Sequence, residues 1–268
     1  MTHKRHLFSV LFILFFLSHM SLAQRPQEQN LDQNAFVKFS LSAEYFSLTI
    51  GWDEDVNTSK FKSYLFSTNT EIYIFDGFSI HIILGYSLSN FDDLIFRRLP
   101  FSVELGTREM GGLLVGSEIN KRLFYLSGYE ISLQGQFIYY YGLNNQWELP
   151  ELNVDGTVVG SPNWTRAQIG PKIRYEGLNN VYPFISATIN KLWGTFTLDQ
   201  YIQDLSGNEK KKITGKSNFT FSAGSEFDVA SNFFVNGALS VMPYKGGVDL
   251  GGMISIQYVF QAQNRRAP

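Results

Sequence analysis

The chain has 268 residues, 44% hydrophobic, 17% charged and 16% aromatic, with 24 Phe, 14 Tyr and no cysteine. The lack of cysteine excludes a disulfide framework and any thiolate metal, haem or redox centre, and a formal net charge of −2 gives no basic footprint for nucleic acid. The charged fraction lies below the usual quarter and the aromatic load is heavy.

Residues 1–23 read as a secretory signal. Lys4, Arg5 and His6 form a basic start, Leu7 to Leu17 is apolar except for Ser9, and Ser21-Leu22-Ala23 is a small-x-small cleavage site. Eleven apolar residues cover only about half of a ~30 Å hydrocarbon core, which is too short for an anchor. Without a following cysteine there is no lipid attachment. Loss of Lys4 and Arg5 leaves 20 basic and 24 acidic residues, a charge of −4. Residues 24–34 are a polar, aperiodic lead, residues 35–260 the folded part, and residues 261–268 a short tail.

From residue 35 onwards the pattern is apolar-polar alternation of period 2, the signature of strands. Ten segments carry it: 35–52, 61–75, 78–89, 101–120, 129–141, 163–175, 182–196, 217–228, 233–243 and 248–260. In 35–52 the apolar face switches from Val37, Phe39, Leu41 and Tyr45 to Phe46, Leu48, Ile50 and Trp52, which predicts a bulge near Tyr45. The segment 101–120 is long and contains Thr107-Arg108-Glu109, so eight or twelve strands stay open as alternatives to ten. Connections alternate in length. Asp76-Gly77 is a favoured hairpin dipeptide, and links near 124–128, 177–181 and 229–232 are also short. The other set, 53–60, 90–100, 142–162 and 197–216, is long and polar, with Tyr244–Gly247 as a short exception. Short turns at one end and long loops at the other, with an even strand count, predict an all-β, antiparallel up-and-down transmembrane β-barrel with both termini periplasmic.

Charge assigns the faces. In 163–175, Trp164, Arg166, Gln168, Lys172 and Arg174 share one face. A lipid-facing Arg or Lys at the midplane costs about 2–4 kcal/mol, so that face must look into the lumen. Equivalent positions hold Lys38, Glu44, Glu71, Glu104, Glu118, Glu130 and Glu226, acids and bases able to pair across the interior. Aromatic residues fall into two belts about ten residues apart, as at two membrane interfaces. Trp52, Tyr86, Tyr139, Tyr141, Trp164 and Trp193 lie beside the long loops; Phe75, Phe78, Tyr129, Tyr175, Tyr258 and Phe260 lie beside the short turns.

This architecture resembles the small Gram-negative outer-membrane β-barrel proteins, over about residues 35–260. The closing strand GGVDLGGMISIQYVF is similar to the family's C-terminal assembly signal, with Tyr258 and Phe260 as its aromatic pair, although Gln261 to Pro268 follow it. The resemblance implies an outer-membrane location, contact with membrane lipid and lipopolysaccharide, and assembly by the barrel-insertion machinery. The family includes adhesins, narrow pores, anchors and a few enzymes, so it does not choose an activity.

Candidate chemistry is sparse. His81 is the one histidine left after signal removal, placed mid-strand near Ser79 and, on this reading, Ser102 and Glu104. A Ser-His-acid hydrolase could be drawn from these types, but FSIHIILG lacks the His-x-Ser-Asn run of the deacylase barrels, and a satisfied lumenal histidine is the expectation. The protease barrels' Asp-Asp and His-Asp pairs need a histidine at a loop mouth, and this sequence has none. Asp53-Glu54-Asp55-Val56-Asn57 opens like a calcium loop, but Thr58 and Tyr64 stand where glycine and glutamate are required. Glu209-Lys210-Lys211-Lys212 reads as a solvated loop tip suited to lipopolysaccharide phosphates. The expectation is a non-enzymatic barrel without metal or cofactor, acting as a narrow channel or in a structural or surface-interaction role. The alternatives are a rim enzyme acting on lipid or peptide, and a soluble lipocalin-like binder. Near ten strands the lumen should be largely filled by side chains, with any conductance widened by Arg166→Ala combined with Arg174→Ala.

Overall fold

The computed structural model describes residues 36–52, 58–92, 94–96, 103–105, 109–148, 156–202, 205–230 and 232–261. The expected signal and polar lead, the acidic segment 53–57 and the residues beyond 261 fall outside them. Fourteen strands follow in chain order: β1 (Phe36–Trp52), β2 (Thr58–Phe75), β3 (Phe78–Phe91), β4 (Leu94–Phe96), β5 (Val103–Leu105), β6 (Met110–Leu126), β7 (Tyr129–Gly142), β8 (Asn145–Glu148), β9 (Gly156–Tyr175), β10 (Val181–Ile202), β11 (Leu205–Gly215), β12 (Phe219–Ala230), β13 (Phe233–Tyr244) and β14 (Gly247–Gln261).

Ten of them close a ring, β1-β2-β3-β6-β7-β9-β10-β12-β13-β14, every pair antiparallel. These are the ten segments read from the alternation. Closure satisfies every edge that an open sheet would leave unpaired. At the short-turn end the hairpins are tight. The β6–β7 turn places Ser127 at φ 48° and Gly128 at φ 86°, and φ is +65° at Gly77 in the β2–β3 turn. Positive φ at both central residues is the primed hairpin turn that matches strand twist.

Four strands lie outside the ten. β4 and β5 pair only with each other, as a separate small hairpin. Glu104 therefore sits in that hairpin rather than in the barrel wall, because the fourth wall strand, β6, begins at Met110, beyond the Thr107-Arg108-Glu109 interruption. β8 folds back on the outer half of β9. β11 pairs with β10 from Trp193↔Thr214 to Ile202↔Leu205. The polar run 197–216 is thus mostly hairpin, not loop. Glu209–Lys212 lies within β11, where Lys211 is buried 3.7 Å from Glu209 rather than solvated at a tip.

β11 also changes the shape of the barrel. Its last residues pair with β1 at Ile50↔Gly215, Gly51↔Thr214 and Trp52↔Ile213. β14 pairs with β1 only as far as Ser47↔Leu250. A second, narrower circuit of eight strands, β1-β2-β3-β6-β7-β9-β10-β11, therefore closes around the long-loop end and bypasses β12, β13 and β14. Where β1 changes neighbours, Asp249 substitutes for a strand. Its buried carboxylate accepts from the Thr49 N–H at 2.6 Å, the Thr49 hydroxyl at 2.9 Å and Lys60 Nζ at 2.6 Å. The Thr49 carbonyl accepts from the Lys216 N–H.

The expected bulge at Tyr45 is absent: β1 keeps its register with β2 from Val37 to Gly51. The ladder irregularities lie instead beside the short turns, at 73–75, 122–124 and 228–230. The even-numbered side chains of β1 face inward throughout. What switches at Tyr45 is the character of the interior.

Candidate functional site

The lumen has two storeys. Its inner half, beside the short turns, is polar; its outer half is a hydrophobic core. Lys38 Nζ lies 3.5 Å from Glu71, which accepts from Ser79 at 2.6 Å and stands 3.3 Å from His81 Nε2. His81 Nε2 is 3.0 Å from the Asn120 amide, which also donates to Glu118. Gln136 donates to Glu118 at 2.9 Å and accepts from Gln168 and Arg166. Arg166 then makes a two-pronged bond to Glu44, at 2.6 and 3.0 Å. This chain of contacts passes through β1, β2, β3, β6, β7 and β9 and ends back on β1. A second knot gathers Glu130 at 3.2 Å, Glu176 at 2.5 Å and Glu226 at 3.6 Å around Arg174. Lys172 Nζ lies over the Phe184 ring at 4.2 Å. The two groups thus bring together the sequence-predicted Lys38, Glu44, Glu71, Glu118, Glu130, Arg166, Arg174 and Glu226, with Lys172 set against Phe184, and leave Glu104 outside. Asn120 and Glu176 were not singled out from sequence, though Asn120 shares the inward face with charged neighbours.

Above Arg166 the inward positions turn apolar. Phe46, Leu48, Ile50 and Trp52 of β1 meet Phe61 and Leu65 of β2, Phe91 of β3, Tyr140 of β7, Trp164 of β9 and Phe196 and Leu198 of β10 in one buried cluster. Trp164 is fully buried, stacked on Tyr140 at 5.1 Å and edge-on to Phe46 and Phe61 at 5.9 and 5.6 Å. Its Nε1 donates to Ser89, within the buried serine trio of Ser63, Ser87 and Ser89. Aromatic pairs at these separations add to the energy of area burial. The lumenal glycines do not reopen the passage: a Cβ at Gly112 would stand 2.4 Å from the Tyr140 ring, which occupies the space. An interior near eight strands is just wide enough for side chains to fill, which is why the narrower circuit holds a packed core.

Trp52 and Trp164 therefore do not belong to an outer belt. Both stand inside the barrel, because their positions share the inward parity of Phe46 and Arg166. The other aromatic residues of the expected belts, Tyr86, Tyr139, Tyr141 and Trp193 at one level and Phe75, Phe78, Tyr129, Tyr175, Tyr258 and Phe260 at the other, are half-buried or exposed on the outer surface. Between them the outer wall presents large apolar side chains, among them Leu41, Phe66, Ile82, Leu84, Val115, Ile169, Ile185 and Ile254, all exposed. On β7, Tyr129 and Tyr139 are ten residues apart, about 33 Å along the strand and about 25 Å along the axis at a typical tilt.

For nucleophilic chemistry the geometry is unfavourable. The Ser79 hydroxyl bonds to Glu71 and not to the imidazole, so a serine–histidine step lacks its first hydrogen bond. Ser102 lies outside the described residues. Among the described residues no group of three or more histidines and carboxylates is placed to hold a metal ion.

No protein-family model matches the sequence, and no curated protein matches it. Solved structures do. The outer membrane protease OmpT from Escherichia coli is similar at a TM-score of 0.50 and 10% identity, over 86% of this chain and 98% of that one. The transport unit of the autotransporter AIDA-I from Escherichia coli has a TM-score of 0.39 at 12% identity, over 90% and 94% of the two chains. Ail, the attachment invasion locus protein of Yersinia pestis, has a TM-score of 0.32 at 11% identity, over 85% and 100%. At such identities the likeness is one of fold. The chain has the closed, antiparallel, up-and-down fold of the outer-membrane β-barrels.

Proposed function

We propose that this protein is a non-enzymatic β-barrel of the Gram-negative outer membrane, inserted with both termini on the periplasmic side, whose lumen is a structural core rather than a conduit. The observation that carries the reading is the bond between Arg166 and Glu44 across the ring, beneath an aromatic cluster that fills the outer half. A passage for solute would need both storeys removed. The apolar outer wall between two aromatic levels supports the membrane location, since exposed apolar patches of this extent mark an interaction surface. Tyr258 and Phe260, adjacent on the closing strand at 4.7 Å, are the residues that the insertion machinery would read. With its interior occupied, the barrel has only its outer wall and long-loop rim free to act, which favours a structural or surface-interaction role.

Membrane fractionation and planar-bilayer recording test this together. The expected result is recovery with the outer membrane, gel mobility that shifts on boiling, and no resolvable conductance. Large, stable, porin-like steps from the unmodified protein would overturn the filled-lumen reading. Recovery in the aqueous phase of a detergent partition would overturn the membrane location itself.

A further inference from the structure

The charges of the inner storey are not evenly matched. Arg166 with Glu44 and Lys38 with Glu71 pair one to one. Arg174 is instead shared by Glu130, Glu176 and Glu226, and Glu226 is the most distant of the three at 3.6 Å. The one further cation on that side is Lys172, set over the Phe184 ring. Two residues beyond Glu226, nearer the short turns, Asp228 shares its inward parity on β12. Among the described residues the Asp228 carboxylate has no ion-pair partner.

Beside these carboxylates lie amide oxygens with no donor. Asn236 of β13, 7% exposed, pairs with Glu226, and its Oδ1 has no hydrogen-bond partner. On the next rung Asp228 pairs with Phe234 and Phe234 with Gln257 of β14, whose Oε1 is likewise buried without a partner. Two neighbouring rungs of β12, β13 and β14 thus turn two carboxylates and two amide oxygens inward, all of them acceptors. Buried polar groups are hydrogen-bonded as a rule. This set calls for a cation that carries several N–H donors, and a guanidinium presents its donors in a planar fork that fits such oxygens.

The chain holds two such groups within reach. β14 ends at Gln261, four residues past Gln257, and residues 262–268 follow as AQNRRAP. Arg265 is four residues beyond Gln261, a span of about 13–14 Å before its own side chain is counted. β12 lies two strands from β14, about 10 Å away. We propose that residues 262–268 turn back across the short-turn mouth and set Arg265 and Arg266 against Glu226, Asp228, Asn236 and Gln257. Two guanidiniums then meet one loosely held and one unpaired carboxylate. The segment so placed covers the wider, ten-strand end of the lumen, as the aromatic storey covers the narrower one. The assignment goes beyond the filled-lumen reading and does not depend on the outer wall meeting lipid.

Limited trypsin digestion of the folded, detergent-extracted protein tests it, with cleavage after Arg265 and Arg266 followed by mass spectrometry. The wild type should be cut there at least ten-fold more slowly than a synthetic peptide of residues 257–268. Glu226→Gln with Asp228→Asn should raise the rate at least ten-fold. Boiling-dependent mobility shows whether that variant has folded. A measurement that needs no variant is the salt response. Raising salt from about 0.05 to 0.5 M shortens the screening length and should speed cleavage of the wild type several-fold, but not of the peptide. A wild type cut as fast as the peptide, a folded double variant cut as slowly as the wild type, or a rate indifferent to salt would each overturn the assignment. Protection that disappears on dilution would overturn it too, by placing the arginines in a neighbouring molecule.

Discussion

Arg166 of β9 and Glu44 of β1 stand on opposite walls of the ten-strand ring, five strands apart in either direction, and are joined by two hydrogen bonds of 2.6 and 3.0 Å. The guanidinium also lies 5.0 Å from the centre of the Phe46 ring, so it marks the floor of the aromatic storey. Breaking a buried pair by removing one partner leaves the other charge uncompensated, at about 3–5 kcal/mol. Because Glu44 keeps 25% of its side chain exposed, the lower figure applies. Arg166→Ala should therefore cost about 3 kcal/mol in urea unfolding of the refolded barrel. The double variant Arg166→Met with Glu44→Leu should recover most of that loss. A loss in the double variant equal to the sum of the singles would mean that the two groups are not coupled.

Conductance should respond to the aromatic storey rather than to the charges. Arg166→Ala with Arg174→Ala, expected from sequence alone to widen a passage, removes only the polar half and should leave bilayers silent. Adding Trp164→Ala and Phe61→Ala, both fully buried in the cluster, should give small flickering openings. Trp164→Ala alone should cost about 3–5 kcal/mol as a cavity variant. Openings in the two-arginine variant would show that the outer storey does not seal the lumen.

Ile82, half-exposed on the outer wall of β3, offers a test of the faces. Ile82→Arg should impair insertion by about 2–4 kcal/mol, the cost of a charge in hydrocarbon. Thr58→Arg, at the exposed outer end of β2, should insert like the wild type. Equal heat-modifiable fractions for both variants would put the apolar wall outside the bilayer.

The Lys60–Asp249 contact lies beyond the apolar belt and responds to alkali. Burial lowers the affinity of Lys60 for its proton, but the hydrogen bond to Asp249 and the carboxylate's charge outweigh it, and the pKa is raised above 10.5. A raised lysine stabilises the fold fully below the unfolded value and loses that contribution as pH climbs through the folded value. With 41% of the Lys60 side chain exposed, the effect should be under about 1 kcal/mol. The midpoint of thermal unfolding should fall more between pH 9 and pH 11.5 in the wild type than in Lys60→Met. Parallel curves would show that the pair contributes nothing.

Strand number, faces and the closed architecture were legible in the sequence because they are local. Period-2 alternation assigns each side chain to one wall, as in Phe78 to Ser89 and Tyr129 to Tyr141, and dipeptides such as Asp76-Gly77 set the hairpins. Charged residues on one parity then had to face inward, whatever their partners. What alternation could not supply is which inward residues meet. Arg166 and Glu44 are 122 positions apart, and only ring closure places β9 opposite β1. Nor could it show that β11, polar and loop-like in composition, bridges β10 to β1 and narrows the outer end. That narrowing explains why Phe46 to Trp52 are apolar while Lys38 to Glu44, on the same face of the same strand, are polar. It likewise turns Trp52 and Trp164 from interface residues into core. Local pattern determines which way a side chain points; the circumference of the barrel at that height decides whether it meets water, a counter-charge or another ring.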